Sequence, residues 1–327
     1  MKKYRRMTAV LLMVLLVTAF LPVQAAAAGK IDPEREESLR ISYQKEDGSL
    51  VGAQFAVYLV ATVDAYGELT TTDTFSRFNV DIRGKNDDAW QSLSAALEGY
   101  VLRDNVLPTD SGQTDEEGIL TFPTAQQKLI PGLYLVLGQR HIQDGYYYDA
   151  VSFLVMLPGL DKEANDWIYD VTAEPKYESG RIPEEPVSRK VLKVWKDEGH
   201  SQERPDEVVV QLLRDGTVYD TVTLNDDNNW RYTWEALDGS HRWTVAEKEL
   251  EGYTVTVEQE KTTFVVTNTY KEKTTGTTTT TKTTTGSTKS TLPQTGQMWW
   301  PVPLLITLGL LFVIVGLIRR RGTRDER

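Results

Sequence analysis

The sequence predicts an all-β protein: two β-sandwich domains in tandem, with one helical insert in the first. Three observations carry that prediction. Short runs of alternating apolar and polar residues recur along residues 31–176 and 189–270, which is the period of a strand with one buried face. Turn signals such as Glu46-Asp47-Gly48 and Arg214-Asp215-Gly216 divide them, as hairpins require. Only Asp88–Val101 repeats apolar residues at a helical interval, through Trp90, Leu93, Leu97 and Val101.

In the first segment, Leu39–Tyr43 and Phe55–Val60 read as strands around the first turn. The helix follows, with Asp87 as a plausible N-cap and Gly99 weakening its end. Ile119–Phe122, Gly132–Leu137, Val151–Leu157 and Trp167–Ala173 are later strands. Residues 177–188 carry Gly180, Pro183, Pro186 and three glutamates, and read as a linker. In the second segment the strands are Val208–Leu213, Thr221–Leu224, Trp230–Trp234, Trp243–Glu247, Tyr253–Val257 and Thr263–Thr269. Asn225–Asn229 reads as a turn, since it lacks the alternating Asx spacing, the glycine and the final glutamate of a calcium loop.

Composition removes several function classes. The 327 residues contain no cysteine, which excludes disulfides, thiolate metal sites and cysteine nucleophiles. Three widely spaced histidines, His141, His200 and His241, do not suggest a metal site. No cofactor is implied. The net charge of −11 argues against a nucleic-acid partner, because phosphate binding needs a basic surface.

The two ends read as targeting segments. Residues 1–28 begin with Lys2, Lys3, Arg5 and Arg6, continue apolar through Met7–Val23, and exit through Ala25–Ala28. That is the layout of a secretory signal peptide; a membrane anchor is the alternative. Residues 271–291 are dominated by threonine and read as an extended stalk. Residues 298–318 are long and apolar enough to span a bilayer, and residues 319–327 form a basic tail held on the cytoplasmic side. Removing the four positive charges of the leader and the net three beyond Thr295 leaves about −18 on the exported part.

Between stalk and span stands Leu292-Pro293-Gln294-Thr295-Gly296. With its flanks, this motif resembles the cell-wall sorting signal (LPXTG) of Gram-positive surface proteins. The resemblance implies that a sortase attacks the Thr295 carbonyl, releases Gly296 onward, and passes the acyl group to an amine on a peptidoglycan precursor. The chain is then a substrate, secreted and covalently attached to the cell wall after a membrane-held precursor stage. An ordinary single-pass anchor is the alternative.

Residues 189–270 resemble the Cna B-type domain of Gram-positive adhesins and pilins, an Ig-like or prealbumin-like sandwich. The resemblance rests on Lys193-Val194-Trp195-Lys196-Asp197, Arg204-Pro205, Asn229-Trp230, Trp243-Thr244-Val245-Ala246-Glu247, Gly252-Tyr253 and Val266-Thr267-Asn268-Thr269-Tyr270. It implies an intramolecular Lys–Asn isopeptide bond joining Lys193 to Asn268, with Glu247 as the catalytic acid. The residues allow this on their own terms. Alternation puts Lys193 with Val191 and Trp195, Glu247 with Trp243 and Val245, and Asn268 with Phe264 and Val266. Each polar group thus falls on the apolar face of its strand. The competing reading is an exposed Lys193 with Glu247 as a salt-bridge partner.

The first segment resembles prealbumin-like pilin modules through Thr114-Asp115, Gly118, Phe122 and Pro131-Gly132-Leu133-Tyr134. Its first strand has no lysine, Gly138 stands where the acid is expected, and no asparagine ends its last strand. No internal bond is expected there. Trp167, Val171, Pro175 and Lys176 fall in register with the pilin motif, while Ala173 and Glu174 depart from it. In pilins this lysine receives the threonine acyl group of a neighbouring subunit.

The sequence therefore reads as a sortase-anchored surface protein, structural or adhesive rather than an enzyme with turnover. The alternative is a pilus subunit polymerised through Lys176 and Thr295. A wall-tethered hydrolase would need convergent acids or a nucleophile–base pair, and none is visible. No host or matrix ligand is named by the sequence.

Overall fold

The computed structural model describes residues 29–83, 87–124, 128–161 and 163–271. The leader, most of the stalk, the sorting motif Leu292–Gly296 and the apolar span lie outside the described residues. Among those described, no helix is long and apolar enough to cross a membrane.

Eight principal strands make up the first segment. They are β1 (Ser38–Ser42), β2 (Gln54–Val63), β3 (Ile119–Phe122), β4 (Gly132–Gly138), β5 (Tyr146–Ala150), β6 (Phe153–Leu157), β7 (Asp170–Ala173) and β8 (Tyr177–Arg181). Helix α1 (Asp87–Arg103) lies between β2 and β3. Strand β1 pairs with β3 on one side and runs parallel to β7 on the other. A second sheet has the order β6-β4-β2, extended by Leu69–Thr71. Leu39, Ile41, Phe55, Val57, Phe122, Tyr134 and Val136 point between these layers and are buried together.

Seven strands make up the second segment: β9 (Val187–Lys196), β10 (Glu207–Arg214), β11 (Thr217–Asn225), β12 (Arg231–Leu237), β13 (Trp243–Glu247), β14 (Tyr253–Glu260) and β15 (Thr263–Tyr270). They form two sheets, β12-β9-β15-β14 and β11-β10-β13. Its first and last strands are parallel neighbours, β9 beside β15. The β10–β11 turn puts Asp215 and Gly216 at positive φ, which an Asp-Gly pair accepts at little steric cost.

The all-β reading holds, and most strands lie where alternation put them. Four expectations change. Asp87 is the first helical residue, not the cap. The strand expected over Trp167–Ala173 is broken at Tyr169 into two pieces, because Tyr169 is buried against Ile31 and Trp167 rather than paired in a ladder. Tyr177–Arg181, read as part of a linker, is strand β8 and pairs with β5. Glycine and proline content signalled a break there, but Gly180 packs against the Tyr147 ring within the sheet.

The largest revision concerns α1. Its residues Leu93, Ala96, Leu97, Tyr100 and Val101 are buried in one cluster with Leu133 and Leu135 of the first segment and Val245, Val255, Val257 and Val266 of the second. The helix is a shared wall between the segments. Gly99 is needed for that contact: a Cβ there would stand 2.3 Å from the Val245 carbonyl oxygen. Polar ties surround the apolar seam. Arg242 pairs with Glu98 at 2.8 Å and donates to the Gly138 carbonyl at 2.7 Å.

Glu37, just before β1, is 3% exposed, and neither carboxylate oxygen has a hydrogen-bond partner among the described residues. Burial pushes its pKa up to about 8. The folded state therefore holds a proton that the unfolded state releases near pH 4.5, so stability falls as pH rises from about 4.5 to about 8. Replacing Glu37 with Gln should flatten that decline. Denaturant titrations should show Glu37→Gln more stable than the parent by ~1–3 kcal/mol at pH 8.5 and nearly equal to it at pH 4.5.

Candidate functional site

Three strands bring the predicted triad together. Lys193 lies in the middle of β9, Glu247 ends β13, and Asn268 lies near the end of β15. The parallel β9–β15 register pairs Lys193 with Val266 and Trp195 with Asn268. Their inward faces therefore meet the same interior between the two sheets. Lys193, Glu247 and Asn268 are 4%, 2% and 1% exposed.

Glu247 sits between the other two. Its Oε2 is 3.3 Å from Lys193 Nζ. Its Oε1 accepts a hydrogen bond from Asn268 Nδ2 at 2.6 Å. Lys193 Nζ also donates to the backbone carbonyls of Val194 and Val266, each at 3.3 Å. Among the described residues the buried carboxamide oxygen of Asn268 has no hydrogen-bond partner, an arrangement that costs free energy unless something else engages it. Rotating the carboxamide by half a turn would put that oxygen against Glu247 Oε1, where a protonated carboxyl can donate to it.

Burial shifts both ionisable partners toward their neutral forms. Burial lowers the Lys193 pKa to about 8 against the opposing pull of Glu247. Burial raises the Glu247 pKa, opposed by Lys193 and Asn268. Taking both charges from water costs more than their attraction returns unless their geometry is excellent. A neutral amine and a protonated acid are thus accessible at ordinary pH. Apolar and aromatic side chains line much of the site: Val191, Val245, Phe264 and Val266 are buried, and Lys193 Nζ stands 4.4 Å from the Trp195 ring centre.

One functional pair escaped the sequence reading. Asp197 is buried and accepts two hydrogen bonds from the Arg204 guanidinium, both at 2.5 Å. The Arg204 guanidinium also stands 5.5 Å from the Trp195 ring centre. This bidentate clamp fixes the end of β9 next to Lys193. Both residues stood in the quoted motifs; their seven-residue separation gave no sign that the chain turns back on itself there.

The other two lysines of β9, Lys190 and Lys196, are exposed on the opposite face of the strand. The remaining sequence candidates fall elsewhere. Trp167 is buried, Val171 is half-buried, Pro175 is buried and Lys176 is exposed. A groove of about 310 Å³, lined in part by Trp90, Phe153, Leu154 and Pro175, runs beside Lys176. Asn225–Asn229 is a short 3-10 turn in which Asn225 and Asn228 bond each other's backbone N–H. In the first segment, a Cβ on Gly138 would meet Phe55 and Ala150. β1 presents Leu39 and Ile41 inward, so apolar side chains fill that interior.

Residues 189–269 match the Cna protein B-type domain. The second segment is similar to that family. The chain is also 27% identical over 260 residues to the collagen adhesin of Staphylococcus aureus, a match covering 67% of this chain and 19% of that protein. The chain thus spans about a fifth of that relative's length. Among solved structures, a single B repeat unit of the collagen-binding surface protein of S. aureus aligns at 18% identity with a TM-score of 0.25, covering 72% of this chain and 98% of that one. The full-length major pilin SpaD from Corynebacterium diphtheriae aligns at 16% identity with a TM-score of 0.31, covering 73% and 65%.

The Asp197–Arg204 clamp has a pH signature. Arg204 holds the Asp197 carboxyl below its usual range, so the pair contributes stability above the unfolded carboxylate pKa and loses it as pH falls through the folded one. Arg204→Ala should lower stability by ~1–3 kcal/mol at pH 7. Thermal melts at successively lower pH should show the difference from the parent shrinking as pH falls below the ordinary carboxylate range.

Proposed function

We propose that the chain is a sortase-anchored surface protein of a Gram-positive bacterium, structural or adhesive, whose second segment is stapled by an amide between Lys193 and Asn268. The observation that supports it most is Glu247, placed between the amine and the carboxamide in a site from which water is excluded. The neutral Lys193 Nζ attacks Cγ of Asn268. Protonated Glu247 donates to the carboxamide oxygen and polarises the carbonyl, then carries the amine's proton to the departing nitrogen. The new C–N bond forms as the old one breaks, and ammonia leaves. Atoms and protons balance without a cofactor.

The link would close a loop of about 75 residues, worth about 4 kcal/mol by the relation used for disulfides. It needs no oxidant, which suits an exported chain with no cysteine. Anchoring is proposed on the sorting motif at Thr295, with a sortase as enzyme partner and a peptidoglycan precursor as acceptor. The matrix ligand is left unassigned.

A second reading has one observation in its favour: Lys176 is exposed between β7 and β8 of the first segment, beside the groove over Pro175. An exposed amine there suits acylation by Thr295 of another copy, which would make the chain a pilus subunit.

Two measurements test the pair. The intact mass of the folded chain should be short by one ammonia, and Lys193→Ala, Glu247→Ala and Asn268→Ala should each restore the full mass; an unmodified mass in folded parent protein refutes the amide. Wall extracts should give one discrete band lost on Thr295→Ala. An SDS-resistant ladder that disappears with Lys176→Ala would instead establish polymerisation.

A further inference from the structure

The proposed amide site is not enclosed by the second segment alone. Strands β13 and β14 are the outer strands of its two sheets, and the sandwich has an open side between them. Glu247 stands on one of those outer strands. Water entering there would solvate its carboxyl and restore the ordinary ionisation of both partners.

The first segment fills that side. Helix α1 lies against both outer strands, with Leu97, Tyr100 and Val101 buried in one cluster with Val245, Ala246, Val255 and Val257. Gly99 allows the backbone approach to Val245 described above, and its Cβ position is 3.3 Å from the Ala246 Cβ. Arg103, at the helix end, donates to the Glu247 backbone carbonyl at 3.1 Å and pairs with Glu249 on the same side. Asp104 holds the Arg103 guanidinium from the other side at 2.7 Å. The loop before α1 closes β14: Val255 N–H donates to the Asn79 carbonyl at 3.0 Å, and Asn79 Nδ2 donates to the Leu250 carbonyl at 2.8 Å. Tyr100 is buried close enough to Glu247 for that carboxylate to help push its phenol up.

We infer that α1 is the lid of the amide-forming site, so that Lys193–Asn268 bond formation is conditional on docking of the first segment, with Arg103 positioning the Glu247 strand. This inference rests on the amide reading above. Its consequence is an order of events. The first segment folds and presents α1, β13 and β14 dock on it, the site dries, and only then does the staple close. A second segment that is misdocked stays uncrosslinked and remains able to rearrange.

The reactive form carries one proton on Glu247 and none on Lys193. Rehydration lowers the acid's pKa and raises the amine's, so this form becomes scarcer while the pH range between the two ionisations widens. The charged groups facing the pair are Asp197 and Arg204 beside Lys193, and Arg103, Asp104 and Glu249 on the lid side, with the neutral phenol of Tyr100 among them. A lid variant should therefore show a lower and broader rate profile against pH. A loss of fold alone would lower the profile without moving its edges.

The test follows ammonia loss by intact mass in the full chain, sampled during cell-free synthesis, for the parent, Gly99→Val and Arg103→Gln. Gly99→Val wedges the helix from Val245. Arg103→Gln removes the tether and leaves the apolar packing. The parent should react to completion; Arg103→Gln should react about tenfold slower, as one pKa unit of rehydration implies, with a broader pH profile. Gly99→Val should keep its ammonia in most folded molecules. If the parent never loses ammonia, the amide reading itself fails. If the parent reacts and Arg103→Gln matches it in rate and pH edges, the lid inference is overturned while the amide stands, whether or not Gly99→Val folds.

Discussion

The burial of the Glu247 carboxyl between Lys193 and Asn268 is the constraint around which the second segment is organised. A carboxyl 2% exposed beside an amine 4% exposed cannot be held cheaply as an ion pair. Its surroundings must supply geometry in place of water. The parallel β9–β15 register does part of this by bringing Lys193 and Asn268 to one interior. The Asp197–Arg204 clamp fixes the end of β9. The Trp195 ring, edge-on to both Trp230 and Tyr253, closes the wall beside the amine. Each of these features would be over-built for a strand that merely exposed a lysine.

The same constraint reaches into the first segment. An outer strand is normally left to solvent or blunted by charge, yet β13 and β14 are both covered by apolar residues of α1. That explains why the helix carries Gly99 four residues before Arg103. Alanine would favour the helix by about 1 kcal/mol, but its methyl group would collide with the Val245 carbonyl. The local penalty is accepted because the tertiary contact needs the space. The ion pair Arg242–Glu98 and the Arg242 bond to Gly138 then brace the two segments around the helix.

Much of this was legible in the sequence. Alternation put Lys193, Glu247 and Asn268 on the apolar faces of their strands, where all three are buried; the resemblance to the Cna B-type domain, not the period, singled them out from an exposed-lysine reading. Helix α1 was legible as a helix from Trp90, Leu93, Leu97 and Val101. Its role was not. Periodicity reports that a face is buried and not which layer buries it, so Gly99 read as a weak end instead of a contact point. The 177–188 stretch misled for a related reason: glycine and proline mark local flexibility, whereas the pairing of β8 with β5 is a long-range ladder invisible to a local scan. Asp197 and Arg204 failed on the same ground.

The parallel arrangement of first and last strands gives the proposed staple its mechanical sense. The chain enters the second segment through β9 and leaves through β15. Pulling the two ends apart loads neighbouring parallel strands in shear, so the whole Lys190–Lys196 ladder with Thr263–Thr269 resists together. An amide from Lys193 to Asn268 bridges these two strands directly. Tension would then pass from β9 to β15 through covalent bonds, and β10 to β14 would lie in a loop outside the path of force. In the first segment β1 and β7 are likewise parallel, but apolar side chains occupy the interior between them and the sheet alone carries the load. Under tension the two segments would therefore yield unequally. With the proposed amide only in the second segment, the first segment would give way first, α1 would be drawn off β13 and β14, and the amide, once formed, would keep the second segment closed after its cover had gone.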